Sequence, residues 1–295
     1  MKTCILLSTF NGEKYLEEQL DSLKSQTFKD VFVLARDDGS SDSTKEILLR
    51  NESETFKWYS GENVGAARSF MLLNNDAPEA DYYAYCDQDD YWFPEKLEAA
   101  VNILEKSNNK LKLYYSNVII ADKSLNTIKK SAYDPNSGSL KKMLLRNYVT
   151  GCTAVFSKGL MEALKSYSPG FIFMHDWWSS LVCLSLGGEV LFDENAYILY
   201  RQHNENAIGY KMDEKRTCFE KIRNKPDRFV RRNADELING YGSIMPEENR
   251  KNVWDIANYY KNIPSKMRII SDSEYYPDES ETRRNDRIAF LFNRK

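Results

Sequence analysis

The first 105 residues alternate between apolar runs and segments with helical spacing, and this alternation constrains the fold more than any other feature. Thr3–Thr9 and Val31–Asp37 are continuous, mainly apolar runs of the kind found in strands buried on both faces. Phe56–Ser60 and Tyr82–Cys86 are shorter strand candidates, and a helical pattern follows each of the four runs. This rhythm predicts an α/β fold with a doubly wound, mainly parallel, Rossmann-like sheet.

The second half of the chain is less regular. Leu113–Ala121 and Thr153–Phe156 are strand candidates, and His175–Leu186 has the spacing of a helix that Gly187-Gly188 closes. Further predicted elements are two strands, Val190–Phe192 and Ala196–Tyr200, and two helices, Asn233–Tyr241 and Glu247–Lys261.

A change of charge marks a predicted boundary near residue 210. Residues 1–210 carry 22 basic and 29 acidic side chains, whereas residues 211–295 carry 19 and 15. The stretch from Lys215 to Arg232 contains eight basic residues and two acidic ones. We therefore divide the chain into an α/β domain, 1–210, and a helical C-terminal extension, 211–295.

Composition excludes several classes of protein. A net charge of −3 over 295 residues argues against a nucleic-acid binder. The five cysteines are far apart without a CxxC pair, which argues against a disulfide framework or a thiolate zinc site and favours a reducing cytoplasm. No run reaches the roughly 20 apolar residues that span a bilayer, and the apolar run at the amino terminus is too short for a secretory signal. We therefore expect a cytoplasmic protein.

Polar residues cluster where the predicted strands end. The clusters are Ser8 with Thr9, Asp37 with Asp38, and the run Asp87–Asp90. Ligands of doubly wound sheets bind outside the carboxyl ends of the strands, so these clusters predict the site. In the turn after the second strand, Ser43 and Glu46 have the spacing of a capping box.

The acidic run Asp87-Gln88-Asp89-Asp90 is the most informative cluster. Two carboxylates at positions i and i+2 can share a hard divalent cation, Mg²⁺ or Mn²⁺, and leave coordination positions for phosphate oxygens. Three aspartates beside an apolar strand would be costly to bury without a counter-ion. The alternative interpretation is a solvated acidic turn. With only two histidines in the chain, a cation here would be held mostly by oxygen.

Two further clusters are weaker signals. Asp37 and Asp38 could accept hydrogen bonds from a base or a ribose, but such a cluster also caps helices. Asn63, Gly65 and Arg68 stand at a loop-to-helix junction, where glycine permits close approach and arginine can meet a phosphate. An ordinary capped helix explains that second cluster equally well.

Four segments together resemble the inverting glycosyltransferases of family 2, which have the GT-A fold. They are STFNGEKYLEEQLDSL, LARDDGSSDST, ENVGAARSF and YCDQDDYW, and the resemblance covers roughly residues 1–210. DQDDYW together with YILYRQHNENAIG is most similar to the bacterial rhamnosyltransferase-like branch. The resemblance implies a nucleotide-diphosphate sugar donor, dTDP-rhamnose or a UDP-hexose.

The resemblance also implies roles for individual residues. Asp176 inherits the role of general base, although His175 stands where the family has the first of two acids. Asp89 is the implied metal ligand, with His203 completing the metal shell or contacting the diphosphate. The implied nucleotide-binding residues are Thr9, Asn11, Asp37, Asp38, Asn63, Arg68 and Asp87. The implied sugar or acceptor contacts are Asp90, Trp92, His175 and Trp177.

Some of these residues also have purely structural interpretations. His175, at a helix start, can be a cap, His203, in a polar loop, can be a solvated side chain, and the tryptophans can belong to the core. Trp178 is assigned to the core. The basic stretch suits contact with an anionic membrane surface, since acceptors in this family are often lipid-linked saccharides. A solvated helix or a homo-oligomer contact explains the stretch as well.

The leading hypothesis is a metal-dependent inverting glycosyltransferase that acts in bacterial cell-surface polysaccharide synthesis. A sugar nucleotidylyltransferase would need a glycine-rich loop with Lys or Arg after the first strand, and a dinucleotide oxidoreductase would need GxGxxG there. STFNGEKY is neither. A non-catalytic sugar-nucleotide-binding or scaffold protein is the remaining alternative, against which the retained Asp89 and Asp176 argue.

Overall fold

The computed structural model describes residues 1–131, 138–203 and 226–276. Nine strands in these ranges form one sheet, in the order β3-β2-β1-β4-β8-β6-β9-β5, with β7 paired to β6. The strands are β1 (Thr3–Thr9), β2 (Val31–Asp37), β3 (Phe56–Ser60), β4 (Tyr82–Cys86), β5 (Tyr91–Trp92), β6 (Lys112–Ala121), β7 (Thr127–Lys130), β8 (Val155–Ser157) and β9 (Glu189–Arg201).

Ten helices accompany these strands in the described ranges. They are α1 (Leu16–Lys24), α2 (Thr44–Arg50), α3 (Ala66–Asp76), α4 (Lys96–Leu104), α5 (Leu140–Leu145), α6 (Lys158–Lys165), α7 (His175–Ser185), α8 (Pro226–Tyr241), α9 (Glu247–Asn258) and α10 (Ile263–Ser271). Short 3₁₀ turns span Gly151–Thr153 and Ser273–Tyr275. None of the described helices combines the length and apolar character that crossing a bilayer requires.

The sheet confirms the predicted α/β architecture. Strands β3, β2, β1 and β4 are parallel neighbours, and β6 is parallel to β9. The short β8 lies antiparallel between β4 and β6. In β1 and β2, Thr9 pairs with Asp37, so both strands end at the same edge. The polar clusters that follow these strands therefore meet at one place.

The sheet separates two apolar cores. Along β1, Cys4 and Leu6 face one core while Ile5 and Leu7 face the other, as the two-residue period of a strand requires. Helices α1, α2 and α4 cover the second core. Helices α3, α6 and α7 cover the first, and α8, α9 and α10 add apolar side chains to the same cluster.

Two local predictions are wrong. Ser43 occupies the N-cap of α2 but makes no side-chain cap hydrogen bond. Asp42 acts instead, accepting hydrogen bonds from the backbone N–H of Thr44 at 3.0 Å and from its hydroxyl at 2.5 Å. The two strands expected at 190–192 and 196–200 are one strand, β9, whose pairing with β6 shifts register around Asn117.

The basic stretch lies mostly outside the described residues, as does the boundary drawn at residue 210. Three of its basic residues, Arg228, Arg231 and Arg232, fall within α8. The Arg231 guanidinium carbon lies 4.3 Å from the ring centre of Tyr260, and that of Arg232 lies 3.7 Å from the ring centre of Phe171. Both guanidinium groups are therefore in contact with aromatic rings of the same chain.

Candidate active site

Asp37, the last residue of β2, accepts hydrogen bonds from several neighbouring groups. Its carboxylate accepts hydrogen bonds from the hydroxyl of Ser60 at 2.7 Å and from the backbone N–H groups of Gly39 and Ser40 at 3.2–3.3 Å. The Thr9 hydroxyl lies 3.5 Å from Asp37 Oδ1. Thr9 and Asp37 are buried, so this pair shapes the turn beneath the predicted nucleotide position.

Asp38 contacts the residues that precede α3. Its carboxylate accepts backbone hydrogen bonds from Val64 at 3.0 Å and Gly65 at 2.9 Å, and it pairs with the buried guanidinium of Arg36. Gly65 has φ +81°, a backbone conformation that favours glycine. Asp38 therefore joins β2 to the start of α3, and a nucleotide base that binds it must share these donors or displace them.

The loop after β1 is tied to the acidic turn. Gln88 exchanges two hydrogen bonds with the backbone of Phe10, accepting at 2.8 Å and donating at 2.9 Å. Gly12 leaves room for this amide, because a Cβ at Gly12 would lie 2.2 Å from Gln88 Oε1. Asn11 has φ +46° and accepts a hydrogen bond from the backbone N–H of Ser41 at 2.9 Å. The predicted residue Asn11 thus stands beside both turns.

Asn63 and Arg68 lie on the exposed side of this edge. Arg68 donates hydrogen bonds to the carbonyl groups of Pro169 and Gly170, both at 3.2 Å. The guanidinium group is thus engaged with the loop that precedes α7. The proposed phosphate contact would compete with these two carbonyl groups.

The acidic turn places its three aspartates in different environments. Asp87 and Asp89 are half-buried, whereas Asp90 is fully buried. Burial together with the charges of Asp89 and Asp176 raises the pKa of Asp87 to about 7. A cation beside Asp87 would favour its charged form. Asp89 Oδ2 lies 2.8 Å from His203 Nε2.

The residues present fit a divalent cation. The Asp89 carboxylate and the His203 imidazole are groups that bind divalent cations, and they lie next to each other, with Asp89 Oδ2 2.8 Å from His203 Nε2. A second group, Asp87, Asp90 and Cys152, brings one ligand atom from each residue within 4.8 Å of the others. Burial and nearby carboxylates raise the pKa of the Cys152 thiol, so it stays protonated and is a poor ligand. The donor set is therefore dominated by oxygen.

Asp90 and Trp92 do not reach the surface of the site. Both are 0% exposed in the absence of a ligand, and the contact of Asp90 and Trp92 with a sugar or acceptor stays a prediction. One oxygen of Asp90, Oδ2, has no hydrogen-bond partner, and burial raises the pKa of this carboxyl well above its usual value. Trp92 lies under Lys96, whose Nζ is 3.2 Å from the ring centre. These residues support the acidic turn from below.

Asp176 lies in the first turn of α7. Its carboxylate accepts hydrogen bonds from Asn147 Nδ2 at 3.1 Å and from the backbone N–H of Trp177 at 2.6 Å, with a further bond from the Gly151 backbone. Burial raises the pKa of Asp176 to about 6. The start of a helix favours negative charge, so the carboxylate is the main form at neutral pH.

His175 and Trp177 are part of the packing around Asp176. His175 is 2% exposed, its ring stacks on Phe70 at 3.8 Å between centroids, and neither ring nitrogen has a hydrogen-bond partner. Burial lowers its pKa to about 3, so the ring is neutral. Trp177 is 3% exposed and its Nε1 donates to the Met143 carbonyl at 2.7 Å. Both rings are thus packed in the structure, and their contact with a sugar or acceptor stays a prediction. Trp178 lies in the core as assigned.

Several supporting residues escaped the sequence argument. Arg201, Tyr15, Lys96 and Asn147 contact the candidate site residues or lie beside them, and no role was predicted for any of them. Arg201 was visible only as a neighbour of His203 in YRQH. Its place beside His203 at the end of a predicted strand is the one signal that could have drawn attention to it.

Comparisons with known proteins agree with this geometry. Residues 4–165, more than half of the chain, match the family model Glycosyl transferase family 2. The chain is 27% identical over 228 residues to the dTDP-rhamnosyl transferase RfbG of Shigella flexneri, covering 69% of this chain and 73% of that protein.

Among the solved structures that share the fold, the complex of S. aureus TarS 1–349 with UDP-GlcNAc aligns with a TM-score of 0.61 and 16% identity, over 98% of this chain and 89% of the TarS 1–349 chain. The mannosyltransferase PcManGT of Pyrobaculum calidifontis, in complex with GDP-Man and Mn²⁺, aligns with a TM-score of 0.55 and 14% identity, over 99% and 79% of the two chains. The chain therefore belongs to glycosyl transferase family 2, as its motifs predict, and is a glycosyltransferase with the GT-A fold.

Proposed function

We propose that this chain is a metal-dependent, inverting transferase that moves a sugar from a nucleoside-diphosphate donor to a saccharide hydroxyl. One observation carries the proposal. The 3₁₀ turn Gly151–Thr153 brings Asp176 and the acidic turn after β4 together. The Gly151 backbone donates a hydrogen bond to the Asp176 carboxylate, and the sulfur of the next residue, Cys152, lies within 4.8 Å of carboxylate oxygens of Asp87 and Asp90. The proposed base and the proposed cation-binding turn, from distant parts of the chain, therefore lie next to each other.

In the proposed reaction Asp176 takes the proton of the acceptor hydroxyl. The hydroxyl oxygen then attacks the anomeric carbon as the bond to the diphosphate breaks, with inversion at that carbon. A pKa near 6 leaves Asp176 ionised at neutral pH and basic enough to accept a proton in the transition state. The three hydrogen bonds to its carboxylate fix the direction from which it meets the hydroxyl.

Asp89 and His203 would hold the divalent cation, with Asp87 beside them. When bound, the cation neutralises the charge that develops on the departing diphosphate. Asp89 is fixed from two directions, because His203 contacts its carboxylate and Arg201 donates to its backbone carbonyl at 2.7 Å. The residues of the chain thus hold the acidic turn in place before any ligand arrives.

The donor we propose is dTDP-rhamnose, with a UDP-hexose as the alternative. Similarity to RfbG supports the first and the TarS complex with UDP-GlcNAc supports the second. The nucleotide would lie along Thr9, Asn11, Asp37 and Asp38, with Asn63 and Arg68 at its rim. The acceptor we propose is a saccharide or lipid-linked saccharide of bacterial cell-surface polysaccharide. Peripheral membrane contact through the basic stretch and homo-oligomer formation stay predictions.

The test is a donor panel combined with Asp89→Ala. We expect Mn²⁺- or Mg²⁺-dependent binding and slow hydrolysis of one nucleotide sugar by the wild type, and loss of both in the variant. Asp21→Ala is the matched control, because the Asp21 side chain is 73% exposed on α1 and makes only a local pair with Lys24. Nucleotide-sugar binding by the wild type without any turnover would favour the non-catalytic alternative. Full activity of Asp89→Ala would reject the metal assignment.

A further inference from the structure

Arg201, the last residue of β9, is a buried cation next to the acidic turn. It is 2% exposed, although arginine is rarely buried without partners. All three nitrogens of its guanidinium group donate. Nε donates to the Asp89 carbonyl at 2.7 Å, Nη1 to the Lys123 carbonyl at 2.6 Å, and Nη2 to the Glu18 carboxylate at 2.5 Å. One planar group therefore joins the acidic turn to α1 and to the turn after β6.

The backbone of Arg201 also contacts the acidic turn. Its N–H donates to Asp90 Oδ1 at 3.2 Å. Asp90 has no exposed surface, so this contact is structural and fixes the last residue of the acidic run. Arg201 thus holds two consecutive aspartates, Asp89 through its carbonyl and Asp90 through its side chain.

Tyr15 connects the same arginine to His203. The guanidinium carbon lies 4.5 Å from the centre of the Tyr15 ring, and the ring centres of Tyr15 and His203 lie 4.8 Å apart. Tyr15 is 7% exposed. Because His203 Nε2 reaches Asp89 Oδ2 at 2.8 Å, the four residues form a closed ring of contacts. Arg201 thus holds the backbone of Asp89, and His203 holds its side chain.

We propose that Arg201 is a positioning residue for the cation site. It sets the position of Asp89 through the Asp89 carbonyl and the position of His203 through Tyr15, and Glu18 anchors it on α1. This inference rests on the proposed function, in which Asp89 and His203 hold a divalent cation. A lysine cannot replace the arginine here, because a single ammonium group cannot keep the planar fork that reaches Glu18, Lys123 and Asp89 together.

The experiment measures Mn²⁺ affinity, alone and with UDP, from the electron paramagnetic resonance signal of free Mn²⁺. Residues that orient metal ligands typically change affinity by about 10- to 100-fold when they are replaced. We expect Arg201→Met and Arg201→Lys to weaken Mn²⁺ binding by about that factor. Glu18→Gln should weaken it in the same direction by a smaller factor, because Arg201 keeps its two carbonyl partners.

Glu17→Gln is the matched control. Glu17 is adjacent to Glu18 on α1 but pairs with Arg50 on the surface, where both side chains are about 60% exposed. The Mn²⁺ affinity of the Glu17→Gln variant should equal that of the wild type. Thermal melts in EDTA show whether each variant folds, and if Arg201→Met does not, Arg201→Lys and Glu18→Gln decide the outcome. If Arg201→Lys and Glu18→Gln fold and bind Mn²⁺ with wild-type affinity, the inference about Arg201 is wrong while the proposed metal site stands. Absence of Mn²⁺ binding by the wild type overturns the metal site itself and the inference with it.

Discussion

Asp176 and Asp90 show how far the surroundings set the properties of a carboxyl group. Asp176 is 6% exposed and accepts three hydrogen bonds, and its pKa rises only to about 6. Asp90 is 0% exposed, has one oxygen without a partner and stands among other carboxylates, so its pKa rises well above the usual value. The first is a carboxylate at neutral pH and can accept a proton, whereas burial favours the protonated form of the second.

Replacing Asp176 by Asn should remove the base while leaving the donor site intact. We expect the kcat for transfer to fall by about 10²- to 10⁴-fold, the usual contribution of a positioned general base. The measurement is kcat for transfer alongside the Kd of the donor from calorimetry. An unchanged Kd with a lost kcat confirms the assignment, and a fully active variant would remove Asp176 from the mechanism.

The pH dependence of the wild type should follow the same group. Below pH about 6 Asp176 becomes protonated and can no longer accept the acceptor proton, so kcat should fall as the pH is lowered. A bound cation near Asp87 would stabilise the carboxylate and move this limb to lower pH, so about 6 is the upper limit for the midpoint. A pH–rate profile measures the limb directly. An acid limb with a midpoint above pH 7 would contradict the assignment.

The sequence placed the polar clusters at the strand ends but did not show which side chains are exposed there. Asp89 and His203 contact each other, whereas Asp90, Trp92 and His175 are buried. A motif has the same residues whether its side chains are buried or exposed, because burial depends on residues distant in sequence. The stack of His175 on Phe70, for example, joins α7 to α3 and has no local signal.

At the scale of elements, the first four strands were the most predictable. β1, β2, β3 and β4 have the predicted bounds. β1, β2 and β4 are largely buried, and a strand buried in a sheet has few polar positions that interrupt its apolar pattern, whereas only Phe56 of β3 is buried. β5, β7 and α5 have two, four and six residues, too few for a period to be detected. β9 was divided in two because polar residues interrupt it where its pairing shifts register.

The start of α7 depends on a glycine in the preceding 3₁₀ turn. A Cβ at Gly151 would lie 2.8 Å from His175 Nε2 and 3.4 Å from Asp176 Oδ2. The imidazole cannot retreat easily, because it stacks on Phe70 and meets Tyr85 edge-on at 4.7 Å between centroids. The close approach of Gly151 therefore fixes the position of the base.

Gly151→Ala should displace Asp176 and lower kcat by about 10-fold or more, since small misplacements of reacting groups are costly. Donor affinity should change little, because the acidic turn is held from β9 and α1. The control is Gly170→Ala, where the nearest atom to a new Cβ is the flexible carboxylate of Glu236 at 3.1 Å. Steady-state kinetics on both variants give the comparison, and equal kcat values would show that Gly151 does not position the base.

At the scale of the whole molecule, the C-terminal helices complete the core that carries α7. Leu237 of α8, Val253 and Ile256 of α9 and Ile269 of α10 are 0% exposed, in the same apolar cluster as Trp178 and Leu181 of α7. A pair between Arg268 and the buried Asp255 joins α10 to α9. The α/β part therefore depends on these helices for one of its two cores.

This dependence predicts that a chain ending at residue 210 will not fold as an independent domain. Such a chain would expose the apolar side chains of α6 and α7 that the C-terminal helices cover, and large exposed apolar patches cause aggregation. Leu237→Ala tests the same contact in the full chain and should lower the free energy of unfolding by about 2–5 kcal/mol.

Ile263→Ala is the matched control for Leu237→Ala. Ile263 begins α10 and is 75% exposed, so its replacement should change the free energy of unfolding by no more than about 0.5 kcal/mol. Urea unfolding measures both variants. A truncated chain that stays monomeric and unfolds cooperatively at the midpoint of the full chain would show that residues 1–210 form a complete domain. Leu237 packs in the core that carries α7, and α7 begins with His175 and Asp176. We therefore expect the destabilised Leu237→Ala variant to lose transfer activity at a lower temperature than Ile263→Ala.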